Sequence, residues 1–236
     1  MRFYQRTHSF YCGVDLRART MHVVDAEGRT QEHVNLPCDP GRFLKLVEPY
    51  RERLVVSCEC LFAWYWLADL CREQGITFVL GLAHDMRAIH GGKAKNDKID
   101  SEKIARLLRG GMLPQAYVYP REMRATRDLL RRRMKLVRLR GQAIAHVTNT
   151  FTQYNVAAPE KKLSYHANRV GVAERFSDES VQRAVRSDLA FAEHLDEQLR
   201  GIELYLTQHA KIDDPQAFGR LQTVPGIGPI LEMVIL

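Results

Sequence analysis

Asp97 and Asp100 put negative charge on the apolar stripe of a helix, and few features restrict a fold more. At 3.6 residues per turn, Asp97, Asp100, Ile104, Leu107 and Leu108 share one face, so both carboxylates are expected to point inward. A carboxylate aimed at an interior is costly unless a cation or strong donors meet it, and a pair doubles the difficulty. A bound divalent metal is one solution. The plainer alternative is that Asn96 or Asp97 caps the helix and Asp97 favours its positive end. Other acids converging on the same place would decide between the two.

The preceding chain supplies two. Ser9 to Arg17 is an apolar run broken by one acid, Asp15; Thr20 to Ala26 is a second run; Thr30 to Leu36 reads as a third, less apolar strand. Short turns between them imply an antiparallel meander. Pro40 to Tyr50, with Phe43, Leu44 and Val47 at helical spacing, reads as a helix. The next strand, Leu54 to Glu59, again ends on an acid. A helix from Phe62 to Glu73 is stopped by Gly75, Ile76 to Leu80 is the last strand, and an irregular stretch around Gly91-Gly92 leads to the helix bearing the two aspartates. The order β-β-β-α-β-α-β-α implies a mixed sheet covered by helices, the order of an RNase H-like domain. In open α/β sheets, sites gather beyond the carboxyl ends of the strands. If strands one and four are neighbours, Asp15 and Glu59 can meet Asp97 and Asp100. Four hard oxygen donors suit Mg2+ or Mn2+, not zinc, and two such ions about 4 Å apart clamp the attacking and departing oxygens of a phosphodiester. Plainer roles are a loop contact for Asp15 and a helix cap for Glu59.

The net charge of +7 is concentrated. Between Arg121 and Arg140 stand nine basic residues (Arg121, Arg124, Arg127, Arg131, Arg132, Arg133, Lys135, Arg138 and Arg140) against two acidic ones. Such focused charge points to nucleic acid, or second to an acidic membrane surface; the alternative is a solvated face meeting acids on a neighbouring helix. Leu130, Met134, Val137, Ile144, Val147 and Phe151 describe one long amphipathic helix with Gly141 as its weak point. From Ser180, Val185, Leu189, Ala192, Leu195, Leu199, Ile202 and Leu206 repeat the pattern. Two such helices suggest an antiparallel coiled-coil hairpin or a dimerisation arm. Near the end, Val224-Pro225-Gly226-Ile227-Gly228-Pro229 is like the turn of a helix-hairpin-helix module, in which the amides of Gly226 and Gly228 would approach a phosphate; a plain helix-connecting turn is the alternative. The apolar run from Ile230 to Leu236 needs a cover, either further chain or another subunit. The expected organisation is residues 1–118 as the acid-bearing domain, 119–212 as the long-helix region and 213–236 as the start of a third part. No apolar run spans a bilayer and the start lacks a signal-peptide core, so a cytoplasmic protein is expected. Five cysteines without CxxC spacing read as reduced and mostly buried.

Tyr11-Cys12-Gly13-Val14-Asp15, Val55-Val56-Ser57-Cys58-Glu59, Asn96-Asp97-Lys98-Ile99-Asp100 and Val224 to Pro229 together resemble the motifs of the DEDD transposases of insertion sequences, recombinases with a RuvC-like amino-terminal domain guided by a bridge RNA. The resemblance implies that Asp15, Glu59, Asp97 and Asp100 bind the catalytic Mg2+ or Mn2+. It also implies that the long helices mediate homo-oligomer contacts and bind DNA and guide RNA, and that the active protein associates with the nucleoid. Cys58-Glu59-Cys60 departs from the small or threonine-type neighbours usual there. In this family a second domain follows the Pro-Gly-Ile-Gly-Pro turn and supplies a serine nucleophile. All seven serines here precede that turn, so the chain is expected to bind metal and nucleic acid without recombining DNA alone. A stand-alone nuclease of the Holliday-junction type, using water in place of serine, and a non-catalytic nucleic-acid-binding truncated product are the alternatives.

Overall fold

A computed structural model describes residues 2–37, 39–89, 97–209 and 214–235, without the side chains of residues 87–89 and 97–99. Cys38, the Gly91-Gly92 stretch and Asn96 lie outside the described residues. Contacts divide the chain into two compact units, Met1–Arg121 and Glu122–Leu236.

In the first unit, β1 (Phe10–Asp15), β2 (Thr20–Asp25), β3 (Thr30–Asn35), β4 (Leu54–Glu59) and β5 (Thr77–Gly81) form one sheet in the order β3-β2-β1-β4-β5. The pairs β1/β2 and β2/β3 are antiparallel, as the short connections require, whereas β1, β4 and β5 run parallel. This mixed sheet with helices on both faces is consistent with an RNase H-like domain. The edge strand β3 alternates exposed and partly covered residues, while every residue of β2 is buried. An edge blunted by polar side chains resists pairing with a foreign strand.

One face of the sheet carries Cys12, Val14, Val23, Val56 and Cys58, which pack with Phe43 and Val47 of α1 (Pro40–Val47) and Leu67 and Cys71 of α2 (Tyr65–Glu73). Helix α1 starts where the sequence supplies both signals: Pro40 in its first turn, and Asp39, whose carboxylate accepts from Arg42 N–H at 3.1 Å. Helix α2 begins at Tyr65 and not at Phe62, because residues 60–63 form a tight turn in front of the buried Trp64. A further helix, α3 (Ala83–Ile89), occupies a place where the sequence reading has only irregular chain. On the other face, Tyr11, Val24, Val55 and Val79 meet Ile104, Leu107 and Leu108 of α4 (Asp97–Arg109). The cysteines Cys12, Cys58 and Cys71 are buried free thiols and Cys60 is half-buried; burial pushes the Cys71 thiol up to about 12, leaving it protonated and inert.

The second unit is helical. Helix α5 (Arg121–Gln153) runs unbroken through Gly141, and α6 (Glu179–His209) follows a connector with 3-10 turns at His166–Asn168 and Ala173–Arg175. Ion pairs Arg133–Glu203, Arg140–Asp196 and His146–Asp188 join α5 to α6. Numbers rising on one helix as they fall on the other show that the two run antiparallel. Val147, Phe151, Leu163, Val172, Phe176, Val181 and Val185 close the end near the connector. Arg169, only 7% exposed, fastens the connector: its guanidinium donates to Leu163 O at 2.9 Å and Ser164 O at 3.3 Å, and lies 2.7 Å from the Asp196 carboxylate. Helices α7 (Pro215–Gln222) and α8 (Pro229–Ile235) flank an exposed turn in which Gly226 takes φ +88, a left-handed value that glycine adopts without strain. No helix among the described residues is long and apolar enough to cross a membrane.

Candidate functional site

The register of β1 and β4 sets the centre of the site. Parallel pairing reaches Val14 opposite Cys58, so the last residues of the two strands, Asp15 and Glu59, stand side by side. Both line one small recess with Leu16, Arg17, Leu61 and Phe62. Alternation along the strands also fixes their face, because Tyr11 and Val55 pack under α4 and residues two and four positions further share that side. One oxygen of Asp15 accepts from Arg17 N–H and Ala18 N–H, each at 2.9 Å, and so shapes the turn into β2. The loop contact expected as the plainer role of Asp15 is therefore present.

Gly13 brings the helix to the same place. A Cβ on it would lie 2.1 Å from Ser101 O and 2.5 Å from Ala105 N, so the backbone of α4 rests directly on β1 two residues before Asp15. Asp100 precedes Ser101 in that helix. Contrary to the inward orientation expected from the periodicity, its side chain is 47% exposed, with Oδ1 3.5 Å from Lys103 Nζ. The buried stripe consists of Ser101, Ile104, Ala105, Leu107 and Leu108; Asp100 borders it, where solvent spares the carboxylate the cost of desolvation. Asp97 opens α4, and its side chain lies outside the described residues. The structure thus unites Asp15 with Glu59 and does not add Asp100 to them: among the described residues no three Asp, Glu, His or Cys side chains stand close enough to hold a metal ion. As a donor set, two carboxylates on adjoining strand ends nevertheless fit a hard divalent cation with open coordination positions.

A polar row that sequence reasoning missed crosses the sheet beside this centre. His22 pairs with Gly13 on one side and His33 on the other, and is 2% exposed. Burial lowers its pKa, Glu102 opposes that, and His33 and Arg106 add to it. Its Nδ1 has no hydrogen-bond partner, and neither does the hydroxyl of Ser57, which pairs with Gly13 from the opposite side, or that of Ser101. The one available signal was a lone histidine inside the apolar run Met21 to Val24.

The basic stretch separates into paired and open cations. Arg121 lies 3.8 Å from the Asp69 carboxylate and 3.4 Å from that of Glu73, Arg133 binds Glu203, Arg140 binds Asp196, and Arg124 is buried. Arg127 is half-buried, whereas Arg131, Arg132, Lys135 and Arg138 are exposed. In the α7–α8 turn, Gly226 and Gly228 are both exposed. Compared with known families, residues 12–156 match the model DEDD_Tnp_IS110, described as Transposase. No curated protein matches the chain.

Proposed function

The chain belongs to the IS110-type DEDD transposases, and from that premise we propose that it takes part in metal-dependent cleavage and transfer of DNA strands, with Asp15, Glu59, Asp97 and Asp100 as the acids that hold Mg2+ or Mn2+. The observation that carries this reading is the side-by-side placement of Asp15 and Glu59 at the carboxyl ends of β1 and β4. A divalent ion held there would supply charge stabilisation for a phosphodiester reacting at that edge. The protein's own part is positional. The Asp15 turn and the β1/β4 register fix two ligands, and the seating of α4 on Gly13 sets the distance of the aspartates it carries.

In the same reading, Arg131, Arg132, Lys135 and Arg138 contact the phosphates of DNA or of a structured guide RNA, Arg121, Arg124, Arg127 and Arg133 position the helix that presents them, and the amides around Gly226 and Gly228 meet another phosphate, as in a helix-hairpin-helix turn. The α5–α6 pair serves as a coiled-coil contact between copies. An intracellular, nucleoid-associated protein follows from that role. Titration with Mn2+ tests the centre. Asp15→Asn keeps the oxygen that accepts from Arg17 and Ala18 but loses the charge, and with Glu59→Gln it is expected to abolish Mn2+ binding while leaving the melting temperature within a few degrees of wild type. Undiminished Mn2+ affinity in both variants would refute the assignment.

A further inference from the structure

Phe62 presents the most exposed large apolar side chain of the described residues, at 85%, and it stands beside the acids. An isolated apolar residue on a surface needs no explanation, but three features make this one different. First, its backbone is held. Cys60 N–H donates to Gly81 O at 2.7 Å, Leu61 N–H donates to Glu59 O at 2.8 Å, and Trp64 is buried two residues on. The turn is thus tied at both ends to the sheet and the core, which leaves Phe62 at its apex, outside the core. Second, Phe62 is one of the residues that line the recess containing Asp15 and Glu59. Third, Arg17 lines the same recess from the β1–β2 turn, is exposed, and has no carboxylate partner among the described residues.

A carboxylate pair, an open guanidinium and an exposed aromatic face within one recess match the parts of a nucleotide: the first two suit a phosphate with its cation, and the ring suits a base. We propose that Phe62 stacks on an unpaired nucleobase of the DNA strand whose backbone lies at Asp15 and Glu59, with Arg17 on the adjoining phosphate. The ring can reach a π-face only where the base has left its duplex stack, so the substrate at this point is single-stranded or locally opened DNA. Stacking of this kind tolerates any base and holds the strand in place without reading its sequence. The inference rests on the function proposed above and adds a residue that positions the strand.

The test uses the whole chain, Mn2+ and a single-stranded oligonucleotide carrying 2-aminopurine, whose fluorescence is quenched by stacking. Phe62→Ala is expected to weaken binding by roughly 5- to 150-fold, the loss corresponding to one stacked base, and to relieve the quenching. Phe62→Tyr and Phe62→Trp are expected to retain both, whereas Phe62→Leu, apolar but without a π-face, behaves as the alanine variant does. Because the side chain is exposed, all four variants should melt as the wild type melts. Wild-type affinity and quenching in the alanine and leucine variants overturn the inference. So does rescue by leucine, or a change in the sedimentation of the free chain, since either means that the ring covers another protein surface. Mn2+ titration of the same samples separates the two readings. Loss of Asp15-dependent metal binding in the wild type would overturn the proposed function itself, whereas intact metal binding with an indifferent Phe62 would overturn only the stacking.

Discussion

Replacing Gly13 with alanine tests how closely α4 is seated on β1. The new Cβ would meet Ser101 O at 2.1 Å, Ala105 N at 2.5 Å and Ile104 Cβ at 3.0 Å. The two closest atoms are backbone, so no rotamer change relieves the overlap. Ordinary contact begins at 3.4 Å, so strand and helix must part by the difference from 2.1 Å, which is 1.3 Å. A gap of about 0.5–1 Å already forfeits a quarter to a half of a dispersion well. Ile104, Leu107 and Leu108 are each 1% exposed beneath α4, and full burial of such a side chain contributes about 1.5–3 kcal/mol. Losing about a third of that from each gives a destabilisation of about 1.5–3 kcal/mol, within the usual cost of overpacking. For a unit of this size the melting temperature should fall by about 10 °C. Circular dichroism melts give that number. Mn2+ titration gives a second: in the proposed function the aspartates of α4 complete the metal site, so a displaced α4 should weaken binding although every acid is intact. Gly141→Ala is the control: it is exposed in mid-helix with nothing within 4 Å of its Cβ, and should stabilise by up to about 1 kcal/mol. A Gly13→Ala chain within about 0.5 kcal/mol of wild type, binding Mn2+ unchanged, would refute the close seating of α4.

Two further outcomes follow from the helical unit. Removing Arg131, Arg132 and Arg138 together should reduce the slope of log affinity against log salt by about 0.9 for each lost phosphate contact, with little change in melting. Arg133→Ala and Arg140→Ala, which break pairs with Glu203 and Asp196, should lower the melting temperature instead, and equal flattening of the salt slope by both sets would contradict the division. Burial pushes the Asp196 carboxyl up, but hydrogen bonds from Arg140 and Arg169, and their charges, outweigh it and hold it below its ordinary value. The stabilisation it gives is therefore complete above the ordinary carboxylate pKa of about 4 and is lost as pH falls through the depressed one. Asp196→Asn should abolish that acid sensitivity, and should cost about 3–5 kcal/mol at neutral pH by leaving the buried Arg169 charge uncompensated; a urea titration at several pH values measures both.

Much of the first unit was legible because strands announce themselves locally. Three short apolar runs with two-to-four-residue connections can only form a meander, and an acid closing both β1 and β4 pointed to their shared carboxyl edge. The register confirming that Asp15 and Glu59 adjoin is a long-range property, yet it followed once β1 and β4 were neighbours. Asp100 was misjudged for a definite reason. A 3.6-residue period assigns a face but not where the packing surface ends, and the first turn of α4 reaches the border of the sheet, so a residue on the apolar side emerges into solvent. Helix α3 has only seven residues, and the helical spacing of Leu82, Met86 and Ile89 is too short a run to single out a helix. Phe62 misled in the opposite sense: its apolar side chain extended the expected α2 backwards by three residues, although Trp64 is the aromatic that enters the core.

The charge of α5 shows most clearly what a linear reading leaves out. Nine cations in twenty residues looked like one continuous polyanion-binding face. Folding assigns Arg133 and Arg140 to carboxylates that arrive from about sixty residues downstream, and Arg121 to acids of α2 that lie about fifty residues upstream. Which cations are intercepted depends on the antiparallel phase of α5 against α6, and composition holds no trace of it. Arg131, Arg132, Lys135 and Arg138 are left exposed and outside these pairs, so in the reading proposed above this stretch offers four phosphate contacts in place of nine. Its contribution to the salt slope is therefore limited to about −3.6, where the unfolded count would have promised about −8. A slope from this segment well above four contacts would require the ion pairs to α6 to open on binding, and the nucleic acid would then compete with Glu203 and Asp196 for the same guanidinium groups.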